Sequence, residues 1–276
     1  MATPQQQSQY TWATGPLNLI PTPTYLTRHK RPSGEAPDRF TRAATMMAQV
    51  HNSFIRSLNS LYHLAPKVPH SDLPNFIAYA HSVVQMIHFH HDEEEVYIFP
   101  EIERVTGEKG IMEGNVRGHE KFHKGLGDFE TYLAELMEGG REREFSTRRF
   151  RDLFDAFALP LQEHLADEIQ TLLDLRKYAH TDLDLMKMAQ QAAEKSMSLN
   201  IMVSQLPGML LNHDRTFEDG FEADLWPRDV PWVMSVVVRR VATCWYWGRW
   251  KFTACDGAQM PRELVYVDLP DREETR

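Results

Sequence analysis

The sequence predicts an all-α protein: an up-down-up-down four-helix bundle followed by a C-terminal helical appendage. Four long segments carry apolar residues three or four positions apart, as amphipathic helices do. Short connections that contain proline or glycine separate these segments, which is typical of antiparallel neighbours in a bundle. Histidines and glutamates recur at a spacing of four on the apolar faces of the same segments, and they indicate what the bundle encloses.

Composition places the chain among ordinary globular proteins. Its 276 residues are 42% hydrophobic and 25% charged, and the net charge is -9. An acidic balance argues against nucleic acid as a partner, because such binding relies on Lys and Arg. The N-terminus lacks the features of a signal peptide, no apolar run is long enough for a membrane span, and Cys244 and Cys255 form no CxxC pair. We therefore expect a cytoplasmic protein, by default.

Composition also divides the chain into three parts. Residues 1–37 are rich in Gln, Thr and Pro and predict a flexible or loosely packed arm. Residues 38–180 form the predicted bundle, and residues 181–276 form an extension packed on it, beginning with one helix over 181–205. The four bundle helices are predicted from Arg39 to Leu64, from about Asp72 to Phe99–Pro100, from Met112 to Met137 and from Thr147 to Tyr178.

The bundle helices carry potential metal ligands on their apolar faces. Residues four apart share one face of a helix, so each such pair points in one direction. The candidates are His51 on the first helix, His90 and Glu94 on the second, His119 and His123 on the third, and His164 and Glu168 on the fourth. We expect all seven to point toward the bundle interior.

Seven buried polar groups need compensation. Each unpaired group costs roughly 1–3 kcal/mol, and an unpaired carboxylate costs far more. A buried cation removes that cost by accepting imidazole nitrogens and neutralising carboxylates. Five histidines and two carboxylates exceed the ligand set of one ion, whereas two ions bridged by the carboxylates use all seven. This donor set favours two iron ions, with manganese or a mixed pair as the alternatives.

The pattern H…HxxxE…HxxxH…HxxxE, with Glu94–Glu95 and Phe99–Pro100 ending the second helix, resembles the hemerythrin-like (HHE) cation-binding family over about residues 39–178. The longer chain is similar to fungal members of that family. The resemblance implies that His119, His123 and His164 hold one iron and that His51 and His90 hold the other. It further implies that Glu94 and Glu168 bridge the two and that dioxygen binds at an open position of the second iron.

One position departs from the oxygen-carrying hemerythrins, which place an aspartate five residues after the last histidine. Ile169 stands at that position here, and Glu168, one residue earlier, follows the wider HHE family. The longer glutamate side chain can shift between binding modes. The departure puts reversible oxygen carriage in doubt and leaves room for oxygen activation.

The register on the second helix stays open. His91 and Glu95 have the same spacing as His90 and Glu94, and the apolar stripe passes between the two histidines and over Glu94. The pair His90 and Glu94 is favoured because this register places Phe99–Pro100 where the family has its Phe-Pro sequence. His91, like His88, is otherwise expected at the surface or beside a ligand imidazole. His213 in the C-terminal part could reach the metal end, or it could belong to a helix cap and turn.

Three functions remain possible at this stage. The first is a di-iron protein that binds dioxygen or iron for sensing, storage or iron handling. The second is a di-iron oxygenase or oxidase that acts on a small organic substrate in a pocket between the bundle and the extension. The third is a structural metal bundle with no redox role. The sequence does not predict the oligomeric state. The pocket of the second function would be walled by Trp226, Trp232, Trp245 and Trp247.

Overall fold

The computed structural model describes residues 10–30, 35–220 and 243–272. It confirms an all-α bundle with a C-terminal helical region. Its principal helices are α1 (Pro23–Thr27), α2 (Arg39–Leu64), α3 (Leu73–Glu93), α4 (Phe99–Thr106), α5 (Glu113–Met137), α6 (Thr147–Asp174), α7 (Leu185–Ser196), α8 (Leu199–Ser204) and α9 (Leu206–Leu210). None of the helices within the described ranges is long and apolar enough to cross a membrane.

The bundle consists of α2, α3, α5 and α6. Helix α2 packs against α6, α6 against α5, and α5 against α3, which returns to α2 and closes the ring. The Asp38 carboxylate caps the N-terminus of α2 by accepting hydrogen bonds from the backbone N–H groups of Phe40 and Thr41, both at 3.0 Å. Helix α4 ends at Gly107, whose φ of 72° lies in the left-handed region that favours glycine. One apolar core therefore runs between the four helices.

The second bundle helix does not end at Phe99–Pro100. A π-helical turn, Glu94–Ile98, follows α3 directly, and α4 continues to Thr106. Pro100 occupies the first turn of α4, where a missing N–H costs little. The sequence pattern suggested a stop because proline usually interrupts a helix, but the wide turn before it accommodates the ring.

The described part of the N-terminal arm is packed rather than loose. Trp12 and Leu17 are buried against the outer side of α2. Asn52 donates to the Ile20 carbonyl and Asn59 donates to the Trp12 and Leu17 carbonyls. These amides pair with backbone groups of the arm, so a segment of polar composition is held in place by side chains on the back of α2.

The C-terminal part also packs on the bundle. The predicted single helix over 181–205 is divided into α7 and α8, because Ser198 caps a new helix by accepting from the Ile201 N–H. Further along, the Asn212 amide donates to the Tyr79 hydroxyl on α3 and accepts from the Ala254 N–H. The extension therefore covers α2 and α3.

Candidate metal centre

The bundle helices bring histidines and glutamates together in two adjoining groups. One group contains His91, Glu94, His119 and His164; the other contains His51, His90, Glu94 and Glu168. Within each group, one ligand atom of every residue lies within 4.8 Å of those of the others. Glu94 belongs to both groups, so the two potential cation sites share a carboxylate.

Each carboxylate stands between histidines of the two groups. Oε1 of Glu94 is 3.2 Å from Nε2 of His90, and its Oε2 is 3.6 Å from Nε2 of His119. Oε2 of Glu168 is 3.5 Å from Nε2 of His51 and 3.8 Å from Nε2 of His164. Both glutamates are therefore placed where a bridging ligand between two cations would be.

Hydrogen bonds at Nδ1 fix the orientation of three of the rings. His51 donates to the Leu165 carbonyl at 2.9 Å, and His91 donates to the Ile87 carbonyl at 2.8 Å. Nδ1 of His119 is 2.6 Å from a carboxylate oxygen of Glu95. Each bond leaves Nε2 as the lone-pair nitrogen that faces the interior, which is the form that binds a metal.

The inward-facing atoms lack conventional partners. Nε2 of His91, His119 and His164 and all four oxygens of Glu94 and Glu168 are shielded from solvent, with no hydrogen-bond partner among the described residues. Nε2 of His51 lies 3.1 Å from Nε2 of His90. Such a convergence of lone pairs and carboxylates is costly without a positive charge at its centre. The residues present therefore fit a pair of cations.

Burial sets the protonation of the group. Burial, with a smaller contribution from neighbouring imidazoles, lowers the pKa of His51 and of His164 to about 3. The pKa values of His90 and His91 are also well below the usual value, for the same reason. These imidazoles are neutral at pH 7 and ready to act as ligands.

The two carboxyl groups shift in the opposite direction. Burial raises the pKa of Glu94 well above its usual value, and the nearby Glu168 carboxylate adds to the effect. Burial raises the pKa of Glu168 to about 7. In the metal-free protein the raised pKa values favour the protonated form of both carboxyl groups, and a cation would displace those protons.

The structure brings six of the seven predicted ligands together and leaves His123 outside. The ring of His123 is exposed and contacts His88, with 5.6 Å between ring centroids. At about 100° per residue, His123 lies about 40° beyond His119 and farther from the buried Phe122 and Leu126. That rotation carries it out of the bundle interior.

His91 takes the position that the sequence pattern suggested for His123. It is 6% exposed and lies beside His119 and His164, with centroid distances of 4.6 and 5.3 Å. His90 and His91 flank the apolar stripe on either side, and Glu94, three and four residues later, lies between them. The passage of the stripe between the two histidines was the available signal that both face inward. Glu95 does not replace Glu94; it holds His119 instead.

Local backbone features position these ligands. The π-turn begins at Glu94, where the wider helical turn moves the glutamate relative to the histidines before it, and π-turns are frequent at functional sites. On α5, Gly118 faces the ring of His164: a Cβ at this glycine would lie 2.6 Å from Nδ1 of that histidine. The absence of a side chain at Gly118 therefore makes room for the His164 ring.

The C-terminal residues of interest lie outside the two groups. His213 is buried and lines a small cavity with Arg56, Asp214 and Glu218, and neither ligand group contains it. Trp245 and Trp247 are 72% and 73% exposed, which does not suit walls of a closed pocket. Trp226 and Trp232, also predicted as pocket walls, lie outside the described residues.

The fold and the cluster together define a metal-binding helical bundle. Comparison with known families agrees with this class: the hemerythrin HHE cation-binding domain matches residues 42–175. The chain belongs to that family. It is also similar to the dimeric xanthone biosynthesis cluster protein R11 of Cryptosporiopsis sp. (strain 8999), with 34% identity over 242 residues that cover 86% of this chain and 88% of the relative. No solved structure matches the chain.

Proposed function

We propose that the two ligand groups hold two iron ions and that this pair binds dioxygen. The observation that carries the proposal is the placement of Glu94, whose two oxygens face histidines of different groups. Neutral imidazoles combined with carboxylates suit iron, and neither group contains a thiolate that would favour a softer ion. A bound pair of ferrous ions supplies electrons to dioxygen.

The protein's own residues shape the surroundings of the pair. Phe54 contacts His90 at 5.2 Å between ring centroids, Phe122 contacts His91 at 4.9 Å, and Phe99 contacts His119 at 5.8 Å. These rings keep bulk water away from the cluster and restrict the space beside each imidazole. The Leu165 and Ile87 carbonyls and the Glu95 carboxylate hold the ligand rings from the outer side.

The two groups differ in the number of imidazoles that they contain. Three imidazoles, His91, His119 and His164, serve one ion, whereas His51 and His90 serve the other. With both carboxylates shared, the second ion has one protein ligand fewer, and an exogenous ligand is expected there. The side chain of His90 is 14% exposed, whereas the side chains of His119 and His164 are 3% exposed and that of His51 is fully buried. Dioxygen is therefore expected on the side of His90.

Anaerobic loading tests this proposal. Metal-free protein is titrated with Fe²⁺ under nitrogen, and bound iron is counted by elemental analysis after equilibrium dialysis. We expect two ions per chain to enter the buried cluster, and air should then change the near-ultraviolet absorption. Glu94→Ala, which removes the shared carboxylate, should abolish both. Binding of two ions by Glu94→Ala with wild-type affinity would contradict the assignment.

A second candidate function is oxidation of a small organic substrate by the same centre. The similar protein from Cryptosporiopsis is named for a dimeric xanthone biosynthesis cluster, which is compatible with an organic substrate here. Glu168, one residue before the position at which oxygen carriers have an aspartate, also favours oxygen activation over reversible oxygen carriage. This candidate makes the chain a di-iron oxidoreductase.

Oxygen consumption separates the two functions. If the centre only binds dioxygen, the absorption change reverses when oxygen is removed, and about one dioxygen is taken up per chain. If it oxidises a substrate, added phenolic compounds should support continuous oxygen uptake and give a product detectable by mass spectrometry. Reversible binding with no uptake in the presence of such compounds would reject the enzyme.

A further inference from the structure

A second set of histidine and glutamate side chains lies on the surface where α3 and α5 pack together. His81 and His88 lie seven residues apart on α3, and His123 and Glu130 lie seven apart on α5. Nε2 of His88 is 3.4 Å from Oε2 of Glu130, and Nε2 of His81 is 3.7 Å from Oε1 of the same carboxylate. The ring of His123 is 5.6 Å from that of His88. None of the four belongs to the buried groups.

Two features suggest that this set can receive a ligand. Nε2 of His88 is shielded from solvent and makes no hydrogen bond within the described ranges, although Glu130 lies beside it. Gly127, between His123 and Glu130 on the same face of α5, leaves open space: a Cβ there would meet no described atom within 4 Å. A cation at this seam would therefore have donors and room.

The four side chains differ in how well they could bind a cation. His123 is exposed, so its ring can turn toward His88 without displacing a packed side chain. Asp92, one turn beyond His88, adds a negative charge that acts on the same imidazole. His81 is less suitable because the positive charge of Arg249 acts on it. The best ligands are therefore the imidazoles of His88 and His123 and the carboxylate of Glu130, with water molecules as the remaining ligands.

We propose that His88, His123 and Glu130 form a third, shallow cation site that binds one divalent ion of the imidazole-preferring class, such as Zn²⁺. The site uses ligands that the buried centre does not, so it does not depend on which ions the buried centre holds. It gives a chemical role to His123, the one member of the HxxxH pair that points away from the interior.

Equilibrium dialysis of the untagged, metal-free full chain against micromolar Zn²⁺ tests the site. Wild-type protein should bind three ions, and the double variant His88→Ala/His123→Ala should bind two. His180→Ala removes an exposed histidine elsewhere and should leave the number at three. Glu130→Gln, which keeps the size of the side chain, should also bind two, and it serves if the double variant fails to fold.

The outcomes distinguish this site from the buried one. If the buried groups do not take Zn²⁺, wild-type protein binds one ion and the double variant binds none, and the third site stands. Equal numbers of ions in wild-type and double-variant protein overturn the proposal. A wild-type protein that binds only two ions, both lost with Glu94→Ala, overturns it as well.

Discussion

At the scale of residues, two neighbouring histidines on one helix serve two different groups. His90 and His91 point to opposite sides of the apolar stripe, and Glu94 lies between them. Periodicity alone could predict that the second helix contributes a histidine and a glutamate, and it identified six residues of the cluster. It could not exclude His123, because an HxxxH pair spans about 40° of helix and only packing decides which member is buried.

Because His91 is buried in the cluster and His123 is exposed, we expect unequal effects of the two alanine variants. His91→Ala removes an imidazole of the three-histidine group, so the buried iron content should fall below two ions per chain. His123→Ala should leave both buried ions in place, because that ring lies outside. The measurement is iron per chain after desalting, with circular dichroism as a folding control. Loss of buried iron in His123→Ala but not in His91→Ala would show that the assignment is reversed.

At the scale of elements, helix α5 approaches the ligand on α6 through a glycine. Gly118 leaves the space that His164 occupies, and Gly125 allows a similar approach to α6, with a Cβ 3.0 Å from that of Phe157. The sequence showed where α5 lies, but neither glycine breaks the helical pattern. Their role follows from the distance between helices, which no single-helix pattern contains.

Gly118→Ala should therefore displace the His164 ring while α5 stays helical. Alanine is the better helix former by about 1 kcal/mol, so local helix stability should rise. The added methyl would clash with Nδ1 of His164, so iron affinity should fall. Gly127→Ala is the matched control, because a Cβ there has room. Unchanged iron affinity in Gly118→Ala would mean that the ring does not need its present position.

Some helix boundaries could be predicted from the sequence, whereas others depend on packing. The start and end of α2 follow from its cap and its periodicity, and the structure has them where the sequence places them, at Arg39 and Leu64. The continuation of the second helix past Phe99–Pro100 was not predictable, since a π-turn has no composition of its own. The packed arm was missed because its polar residues have partners far along the chain, on α2.

At the scale of the whole molecule, the buried cluster should govern how the metal-free protein responds to pH. Five histidines have lowered pKa values, so the unfolded chain binds more protons than the folded one below about pH 6.5. Their contribution to stability is therefore lost as the pH falls. Glu94 and Glu168 act in reverse: their raised pKa values make the folded state hold protons that the unfolded state has lost, and stability declines as the pH rises toward the raised pKa, which is about 7 for Glu168.

We therefore expect the metal-free protein to be most stable near neutral pH. Urea unfolding in the presence of a chelator, at pH 5, 6.5 and 8, measures this directly. Glu168→Gln should raise stability at pH 8, where the buried carboxylate is otherwise charged, and should have little effect at pH 4.5. If stability falls steadily from pH 5 to pH 8, the histidines do not dominate its pH dependence below neutral pH, and the prediction is wrong.

The carboxylate that belongs to both groups has one more consequence. A cation on one side would displace the proton of Glu94 and leave its second oxygen as a ligand for the neighbouring side. We therefore expect the two positions to fill together, so that chains with a single ion are less populated than empty or fully loaded ones. Such all-or-none loading would make metal binding depend steeply on the metal concentration.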